Sequence, residues 1–557
     1  MIPLWPRSAR FAYTCRAPVG VSPNPIMQKP APPELAPKSL TIPALVAEMA
    51  NRYPDREAVV GAHHRFTYQG IERAVNQAAS FLLQAGIRKG DKVAVLMGNL
   101  PEWIIADFAI TSIGAVMVAV NTWVTARELA YVLEHSDTRL LITTGRFLRH
   151  DYRAMIDELR TESRLPQLER VLVVGDDVRD GDLRWTDAMR EPDPAAASRL
   201  NEARSAVQPD DPAYILYTSG STALPKGVVI QHRGLVENMW RIGQRQHVTH
   251  HDRLWLAVSL FWGLGCENAL FNLYTHGGCI VLQESFDAEV ALQLIERERC
   301  TMFYGTPNMA EALLSTPGYR RERLRTMRGG ATIGTPDQIR RLVDAGLTEI
   351  CNIYGLTETY GNCSVTDASD DLELRLSSIG RPLEGFDIRV IDNTTGHECE
   401  PGDIGEIRVK GHVLKEYYKD PERTREAFDE RGYFRTGDLG LFGPTGHLYF
   451  RGRIKEMIKT GGMNVSPVEV EQVLTGHPGV MAAYCVPLPD PELDEVFGAV
   501  VVPKHGAIID LEAVRALCAR ELARYKRPKQ FLVIEERDLP LTITGKVRKD
   551  DLIRRFT

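Results

Sequence analysis

The sequence predicts an α/β fold with a large N-terminal domain of mostly parallel sheets flanked by helices plus a small β-rich module, followed by a small α+β C-terminal domain. Helical and strand patterns alternate from residue 40 to about residue 375, which is typical of parallel sheets covered on both faces. At about 375–450, short apolar runs between Gly, Pro and Asp turns indicate the β-rich module. A compact α+β pattern follows residue 454. We therefore expect a large domain at 34–453 and a small one at 454–557.

The elements of the large domain follow from the spacing of its apolar residues. Segments 45–52 and 71–85 have apolar residues at helical intervals. Short β-rich runs predict strands at 92–97, 139–143, 170–174, 213–217, 278–282 and 349–354. Asp107 interrupts the apolar run at 103–120, and we interpret this run as a buried helix that continues into a strand, not as a membrane span.

The β-rich module and the C-terminal domain are predicted from shorter patterns. The module has predicted strands at 388–391, 405–410 and 447–450. The C-terminal domain has predicted helices at 468–475 and 511–522, and predicted strands at 480–486, 499–503 and 530–534.

The composition is that of an ordinary globular protein. The 557 residues carry a formal net charge of −6, with 44% hydrophobic and 25% charged residues. This charge excludes nucleic-acid binding through bulk positive charge, although a local basic groove stays open. The nine cysteines are scattered and form no CxxC pair, which argues against a disulfide framework or a thiolate zinc site. We expect no nucleic-acid partner, no integral membrane segment and a reducing compartment, the cytoplasm.

The first 33 residues differ from the rest of the chain. They contain eight prolines, three arginines, one lysine and no acidic residue. A transit peptide is basic and poor in acids in the same way, but so many prolines would break the amphipathic helix that it needs. We interpret residues 1–33 as a flexible leader, or as sequence upstream of an effective start at Met27.

The loop after the predicted strand at 213–217 has the composition of a phosphate-binding loop. Hydroxyl groups and the free N–H groups of a glycine-containing turn are good donors to phosphate oxygens. This loop offers four hydroxyl groups around one glycine, at Thr218, Ser219, Gly220, Ser221 and Thr222. Lys226 adds a positive charge. It is not a Walker loop, because the comparable Gly-Lys pair at 545–546 is followed by Val547. The alternative is a flexible Ser/Gly surface loop.

Five motifs, in order along the chain, resemble those of the adenylate-forming superfamily of acyl-CoA synthetases, peptide-synthetase adenylation domains and firefly-type luciferases. They are the loop at 217–228, NIYGLTET at 352–359, YFRTGDLG at 433–440, RGRIKEMIKTGGMNVSPVEVE at 451–471 and LTITGKVR at 541–548. The resemblance extends from about residue 40 to residue 553. One departure is Ala223, where the family usually has glycine. If that position needs a positive φ, alanine costs about 1 kcal/mol there.

The resemblance implies a site for ATP and AMP. The residues expected to bind the nucleotide are Thr218, Ser219, Gly220, Ser221, Thr222, Lys226, Gly330, Ala331, Asn352, Tyr354, Gly355, Thr357, Asp438, Arg453 and Lys546. Tyr354 is expected to stack on adenine, and Thr357 to donate to the α-phosphate. Asp438 and Arg453 are expected to contact the ribose. Glu358 and Thr218 are the expected ligands of Mg²⁺, which binds carboxylate and other hard oxygen atoms.

The resemblance also implies a mobile C-terminal domain that brings Lys546 to the reaction centre. This lysine is expected to contact the carboxylate and the α-phosphate, because a carboxylate that approaches a polyanion needs a cation beside it. The hinge is expected at Lys455. After rotation, Gly461 and Gly462 would face the pantetheine arm of coenzyme A. The expected catalytic residues are therefore Lys546, Thr218, Glu358 and Lys455.

The acyl pocket is less apparent from the sequence. By position, the resemblance points to Phe261, Trp262, Tyr304 and Gly329, although each aromatic residue could equally belong to the core. Many relatives have histidine, often assigned a gating role, where this chain has Trp262. No fixed charge is obvious nearby in the sequence, which favours an apolar fatty or aromatic acid.

The resemblance implies ATP-dependent activation of a small carboxylic acid through an acyl-adenylate, followed by thioester formation with coenzyme A; ATP, Mg²⁺ and coenzyme A would be required. One alternative is a ligase that loads the phosphopantetheine of a carrier protein. Coenzyme A has a 3′-phosphate that a carrier arm lacks, so a basic patch would favour coenzyme A; the candidate is Arg524, Lys526, Arg527 and Lys529, which could also be a solvated face. A minor alternative, to which Ala223 gives some weight, is a catalytically weak nucleotide-binding regulator.

Overall fold

The computed structural model describes residues 35–556 except 163, 166, 219–224, 461–462, 491–493, 523 and 542–545. For residues 455, 459, 463, 464, 494 and 525 it describes the backbone alone. The predicted leader at 1–33 lies outside the described residues. Within them, the strands form two large sheets, two smaller ones and a short hairpin at Arg146–Phe147 and His150–Asp151.

The first large sheet has nine strands in the described chain, and its six central strands are parallel. Strands at both edges pair antiparallel. In spatial order the strands are Arg381–Pro382, Ser364–Val365, Glu349–Tyr354, Gly329–Thr332, Met302–Tyr304, Arg253–Leu256, Cys279–Leu282, Glu57–Val60 and Arg65–Thr67.

The second large sheet has eight strands among the described residues and is parallel except at one edge, where two antiparallel pairs close it. In spatial order its strands are Glu416–Tyr417, Lys226–Gln231, Pro212–Thr218, Val116–Ala119, Lys92–Leu96, Thr138–Thr144, Arg170–Val174 and Leu183–Arg184. The two sheets confirm the predicted fold class.

Helices cover these sheets, and many begin at a polar cap or a proline. Thr125 and Glu128 form a capping box that satisfies free N–H groups at a helix start. The described helices of this part are Ile42–Arg52, Tyr68–Gln84, Pro101–Ser112, Ala126–His135, Tyr152–Thr161, Trp185–Ala188, Pro194–Ser205, His232–Arg245, Leu270–Thr275, Ala288–Glu298, Pro307–Ser315, Pro336–Asp344, Leu372–Ser377 and Pro421–Glu426. A π-helix spans Leu264–Ala269, and 3₁₀ turns span Arg321–Leu324 and Thr357–Thr359.

The largest hydrophobic core joins the two large sheets, and Ile280 of one and Met117 of the other belong to it. Helix Pro101–Ser112 lies in this core with every residue except Glu102 buried. The apolar run at 103–120 is therefore a buried helix followed by strand Val116–Ala119, as predicted. No helix in the described part of the chain is long and apolar enough to cross a membrane.

The β-rich module is a four-stranded antiparallel sheet. Its strands are Asp387–Ile391, Gly405–Lys410, Phe434–Phe442 and Leu448–Arg453. The last strand continues beyond the predicted 447–450 to Arg453, so this arginine is held in register with Asp438.

The C-terminal part has its own core around Val470, Leu474 and Val501. Its sheet contains Met463–Val465, Ile458–Thr460, Asp494–Pro503, Val480–Asp490 and Gln530–Val533, and its helices are Pro467–Thr475, Leu511–Glu521 and Lys549–Ile553, with 3₁₀ turns at Ile454–Glu456, Arg524–Lys526 and Glu536–Asp538. The predicted strands at 480–486 and 499–503 are parts of one longer antiparallel pair, Val480–Asp490 with Asp494–Pro503.

Candidate active site

The strand that leads into the predicted phosphate loop ends at Thr218. Its antiparallel partner begins at Lys226, and the two residues are direct cross-strand neighbours. The hydroxyl oxygen of Thr218 is buried and has no hydrogen-bond partner among the described residues. The predicted loop residues Ser219, Gly220, Ser221 and Thr222, together with Ala223, lie outside the described residues. Thr218 and Lys226 therefore fix the base of the loop.

Lys226 and Glu358, which the sequence predicted separately, are in direct contact. The ammonium of Lys226 lies 2.5 Å from Oε1 of Glu358 and donates to the hydroxyl oxygen of Tyr417 at 3.0 Å. Tyr417 donates to the same Glu358 oxygen at 2.9 Å, and its ring lies 4.4 Å from the ammonium. Glu358 is 5% exposed. Its carboxylate is therefore held in place by a cation and a phenol.

Three residues predicted to bind adenine and ribose form a second cluster. The hydroxyl of Tyr354 donates to Oδ2 of Asp438 at 2.9 Å. Nε of Arg453 lies 3.0 Å from Oδ1 of Asp438. Burial raises the pKa of the Asp438 carboxyl, and the charge of Arg453 opposes that rise. Strand register brings these residues together, because Asp438 is paired with Arg453 across the antiparallel sheet.

Four other predicted nucleotide residues lie in or just beyond two neighbouring parallel strands, Gly329–Thr332 and Glu349–Tyr354. Gly330 has φ +122°, and a Cβ there would lie 1.9 Å from the carbonyl oxygen of Phe303. Ala331 is fully buried. The amide of Asn352 donates to the carbonyl oxygen of Ser378, and its own oxygen is buried without a partner among the described residues. Gly355 packs against the backbone of Gly361, so that a Cβ would not fit.

Thr357 lies near the bare backbone of Gly263. A Cβ on Gly263 would lie 3.7 Å from the Thr357 hydroxyl oxygen and 2.2 Å from Oε2 of Glu267. Glu267 was not predicted as a site residue. It belongs to the π-helix Leu264–Ala269, a rare conformation that is often found at functional sites.

Two of the predicted acyl-pocket residues form an aromatic cluster with Trp123. The ring centroids of Trp123 are 5.5 Å from Phe261 and 6.0 Å from Trp262, in edge-on arrangements. Tyr304 is fully buried, and its hydroxyl accepts hydrogen bonds from Gln246 and Asn272. Gly329 is also buried. The structure thus places Tyr304 in a core hydrogen-bond network, whereas Phe261 and Trp262 pack against each other and against Trp123.

The structure describes the backbone of the predicted hinge residue Lys455 and the side chain of the predicted catalytic residue Lys546. Lys455 lies in the 3₁₀ turn Ile454–Glu456, which directly follows Arg453. Lys546 is exposed, and partial desolvation and then the positive charge of Arg453 hold its pKa below the usual lysine value. The predicted CoA-arm residues Gly461 and Gly462 lie outside the described residues.

Mg²⁺ fits the donor set only as an ion shared with phosphate. Among the described residues, no group of three or more His, Cys, Asp and Glu side chains could hold a metal alone. Glu358 and Thr218 offer one carboxylate and one unpartnered hydroxyl oxygen, and Mg²⁺ is usually bound by one or two carboxylates together with substrate phosphates.

Sequence reasoning missed Tyr417, Trp123 and Glu267. Tyr417 contacts Glu358 across 59 residues, and no local pattern marks it. Trp123 follows the buried strand Val116–Ala119 closely in sequence. Its large aromatic side chain was the one feature that could have suggested a place near the predicted acyl pocket. Glu267 lies six residues after the predicted pocket position Phe261, and an acidic residue is unusual in so apolar a stretch.

Comparison with known proteins identifies the family. The model of the family described as "AMP-binding enzyme" matches residues 46–418, and that of the "AMP-binding enzyme C-terminal domain" matches residues 469–546. Together they cover both parts of the chain and include four of the five motifs wholly or in part.

Relatives and solved structures agree with this. The chain is 32% identical over 527 residues to the putative acyl-CoA synthetase YngI of Bacillus subtilis, which covers 91% of this chain and 96% of that protein. It is 31% identical over 542 residues to the mitochondrial medium-chain acyl-CoA ligase ACSF2 of Danio rerio, with 93% and 88% covered. The crystal structure of ATP-bound MatB from Rhodopseudomonas palustris superimposes with a TM-score of 0.78 at 27% identity, covering 93% of this chain and 99% of MatB.

The five sequence motifs and these comparisons indicate the same family over nearly the whole chain. The structure brings motif residues together in two clusters, one around Glu358 and one around Asp438. Members of this family use ATP, and its acyl-CoA synthetases use coenzyme A as acceptor. This chain is a member of the AMP-binding, adenylate-forming enzyme family and is an acyl-CoA ligase of that family.

Proposed function

We propose that this enzyme joins a fatty or aromatic carboxylic acid to AMP in the site between the two clusters and then transfers the acyl group to coenzyme A. The observation that carries the proposal is the direct contact of Asp438 with Tyr354 and Arg453. Lys546 lies near this cluster, because the charge of Arg453 contributes to lowering its pKa. These four residues come from separate parts of the sequence. A nucleotide held by the first three would present its phosphates toward Lys546.

The adenosine end is bound by the second cluster. The ring of Tyr354 offers a face to adenine, while its hydroxyl fixes the orientation of the Asp438 carboxylate. Oδ1 of Asp438 has no hydrogen-bond partner among the described residues, although it lies at ion-pair distance from Arg453. A buried carboxylate oxygen without a donor is costly, and a ribose hydroxyl would supply the donor.

The phosphates are bound by the first cluster. Lys226 would move its ammonium from Glu358 to the phosphate oxygens, while Tyr417 stays on the carboxylate. The hydroxyls of Thr218 and Thr357 would donate to phosphate oxygens. Glu358 and Thr218 would hold Mg²⁺, which when bound neutralises part of the phosphate charge.

The first half-reaction is then a displacement at the α-phosphorus. A carboxylate oxygen of the acid forms a bond to the α-phosphorus, the bond from that phosphorus to the bridging oxygen breaks, and pyrophosphate leaves with the electron pair. Lys546 would lie between the two anions and stabilise the charge that develops as they approach. Its lowered pKa reflects desolvation and a neighbouring cation, and an incoming carboxylate and phosphate would reverse that effect.

The second half-reaction needs another surface at the same carbonyl. The thiolate of coenzyme A attacks the acyl carbonyl, and AMP leaves with the electron pair of the anhydride oxygen. We propose that the part after the hinge, residues 454–557, rotates about Lys455 to withdraw Lys546 and to bring Gly461 and Gly462 to the pantetheine arm.

The acceptor is proposed from the relatives, which are named acyl-CoA synthetases and ligases. In the basic patch, Lys526 and Lys529 pair with Glu469 and Asp490 of the same domain. The patch is thus partly neutralised, which agrees with a solvated face. Loading of a carrier protein remains the alternative, and thioester formation with coenzyme A against phosphopantetheinylated carrier protein distinguishes the two.

We also infer a reducing compartment, the cytoplasm. The eight cysteines among the described residues are free, and seven of them are buried. Free buried thiols are typical of proteins that fold where disulfides do not persist. Fractionation of cells that produce the full chain would place it with cytoplasmic markers, and co-purification with an organelle would contradict the inference.

Substitution of Lys546 tests the proposed mechanism. Lys546→Ala should reduce acid-dependent pyrophosphate–ATP exchange by at least about 100-fold, or about 2.7 kcal/mol of barrier. It should largely spare thioester formation from supplied acyl-AMP, because that step does not bring two anions together. Lys504→Ala, an exposed lysine of the same domain, is the matched control and should change neither rate. Equal loss of both half-reactions in Lys546→Ala would refute the assigned role.

A further inference from the structure

Glu267 is a buried acidic residue whose carboxyl group forms no hydrogen bond with the described residues. The residue is fully buried, and neither carboxylate oxygen has a hydrogen-bond partner among the described residues. Most buried polar side-chain atoms in folded proteins are paired, and a buried carboxyl group without any partner is strongly disfavoured. The described residues therefore supply no hydrogen bond to the Glu267 carboxyl group, and a bound molecule could supply one.

The carboxyl group of Glu267 lies near Thr357, which is proposed to contact the α-phosphate. It packs against the bare backbone of Gly263, where a Cβ would lie 2.2 Å from Oε2. The same Cβ would lie 3.7 Å from the hydroxyl oxygen of Thr357, so the carboxyl and this hydroxyl share one small space. Gly263 also directly follows the predicted acyl-pocket residues Phe261 and Trp262. The carboxyl group thus lies beside the end of the acyl site at which the carboxylate of the acid reacts.

The surroundings of Glu267 indicate which kind of substrate group could form a hydrogen bond with its carboxyl group. Burial and then the negative charge of Glu358 raise the pKa of the Glu267 carboxyl well above its usual range. No described cation is paired with it. The raised pKa favours the protonated carboxyl group, which can donate one hydrogen bond and accept another. A purely apolar acid would leave both oxygens unpaired. A hydroxyl or amino group would satisfy at least one of them.

We propose that Glu267 is a specificity-determining residue of the acyl site, and that the preferred acid has an apolar body with a hydroxyl or amino group on the second or third carbon from the reacting end. We choose this position because Glu267 lies near Thr357, which is proposed to contact the α-phosphate at which the carboxylate reacts. This inference rests on the proposed function and refines its substrate class.

Acid-dependent pyrophosphate release by the full-length protein tests the inference with matched acids. The aliphatic probes are hexanoate, 2-hydroxyhexanoate, 3-hydroxyhexanoate and 3-aminohexanoate, and the aromatic probes are benzoate, 2-hydroxybenzoate and 2-aminobenzoate. We expect kcat/KM for at least one hydroxy or amino acid to exceed that of its parent acid by about 10- to 100-fold, since sites built for a hydrogen bond reject analogues that lack it. The hydroxy and amino arms show which donor is preferred.

Two variants assign the preference to Glu267. Glu267→Met has similar volume but no hydrogen-bonding oxygen, and should bring the ratio of substituted to parent acid close to one. Glu267→Gln keeps an amide oxygen and should retain a preference for a hydroxyl while lowering one for an amine. Asp107→Asn removes another buried carboxyl group, outside the proposed site, and should leave the ratio unchanged.

Equal or better use of hexanoate and benzoate by the unaltered enzyme would overturn the inference, as would a preference that survives in both Glu267 variants. If Glu267→Met does not fold, the same acids are compared with the unaltered enzyme and with Glu267→Gln. That comparison still shows whether the preference for a donor exists and depends on Glu267. Pyrophosphate release with the parent acids but without donor preference refutes this inference alone. Absence of release with every acid would refute the proposed function too.

Discussion

The two oxygens of Asp438 have different surroundings. Oδ2 accepts a hydrogen bond from Tyr354, whereas Oδ1 lies 3.0 Å from Nε of Arg453 without forming a hydrogen bond. Asp438 is 1% exposed, whereas Arg453 is half exposed. In the proposed site, this buried acceptor beside an accessible cation would receive the ribose from the side of Arg453. The hydroxyl of Tyr354 orients the carboxylate before the ligand arrives.

Gly330 provides a prediction at the scale of one residue. Gly330→Ala should destabilise the protein by about 2 kcal/mol more than Gly346→Ala. Both glycines have a similar positive φ, +122° and +118°, so both variants carry the same backbone strain. A Cβ on Gly330 would meet the carbonyl oxygen of Phe303 at 1.9 Å, while nothing lies within 4 Å of one on Gly346.

Denaturant unfolding of the two variants beside the unaltered protein measures this difference. Gly346→Ala serves as the matched control, since it reports the strain of a positive φ without a clash. Equal destabilisation of the two variants would show that the neighbouring strand Met302–Tyr304 can move away from Gly330 without loss.

At the scale of elements, Asp107 connects a buried helix to the strand that ends at Thr218, the first residue of the predicted phosphate loop. It lies in helix Pro101–Ser112, and one of its oxygens accepts from the hydroxyl of Tyr214 at 2.6 Å. Tyr214 belongs to strand Pro212–Thr218. Burial raises the pKa of Asp107 to about 8 from an ordinary value of 3.8, despite this hydrogen bond.

This shift predicts that Asp107 makes the protein less stable as the pH rises. The folded protein keeps the proton up to about pH 8, whereas the unfolded chain releases it near pH 3.8, so between these values rising pH favours unfolding. The slope contributed by Asp107 is at most about 1.4 kcal/mol per pH unit. Asp107→Asn should remove this contribution. Unfolding free energies of both proteins at pH 5, 6, 7 and 8 test it, and parallel pH profiles would contradict it.

At the scale of the whole molecule, the proposed reaction depends on rotation of the C-terminal part about Lys455. Lys455→Pro should slow thioester formation from acyl-AMP by at least about tenfold, or about 1.4 kcal/mol of barrier, because proline fixes φ in the turn Ile454–Glu456. Pyrophosphate–ATP exchange should change much less. Lys455→Ala, which alters the side chain but not the backbone, is the control. An unaffected thioester step in Lys455→Pro would contradict a hinge at this position.

The fold class and most elements were predictable from local pattern. Strands Glu349–Tyr354 and Gly405–Lys410 have the predicted ends, because apolar runs and turn residues mark them. The pair Val480–Asp490 and Asp494–Pro503 extends beyond its prediction, although the extension contains Pro487 and Pro489, which are unfavourable within a strand. There, cross-strand pairing overrides the local propensity.

The site was predictable only where a motif carries it. Tyr354 and Asp438 each belong to a motif, and the structure adds that they touch. Tyr417 and Glu267 belong to none, and their place beside Glu358 and Thr357 depends on how separate elements pack. For Tyr304, the sequence left core and pocket open, and its buried hydrogen bonds place it in the core.

The sequence by itself determined the family, the order of the elements and the residues of the five motifs, because short-range periodicity and motif spacing are written in neighbouring residues. Tertiary structure alone decided which side chains meet. Strand register brings Asp438 opposite Arg453, and packing of the π-helix places the carboxyl group of Glu267 against Gly263, near the hydroxyl of Thr357. Contacts between residues that are distant in sequence depend on how the helices and sheets pack together, and no local pattern in the sequence encodes them.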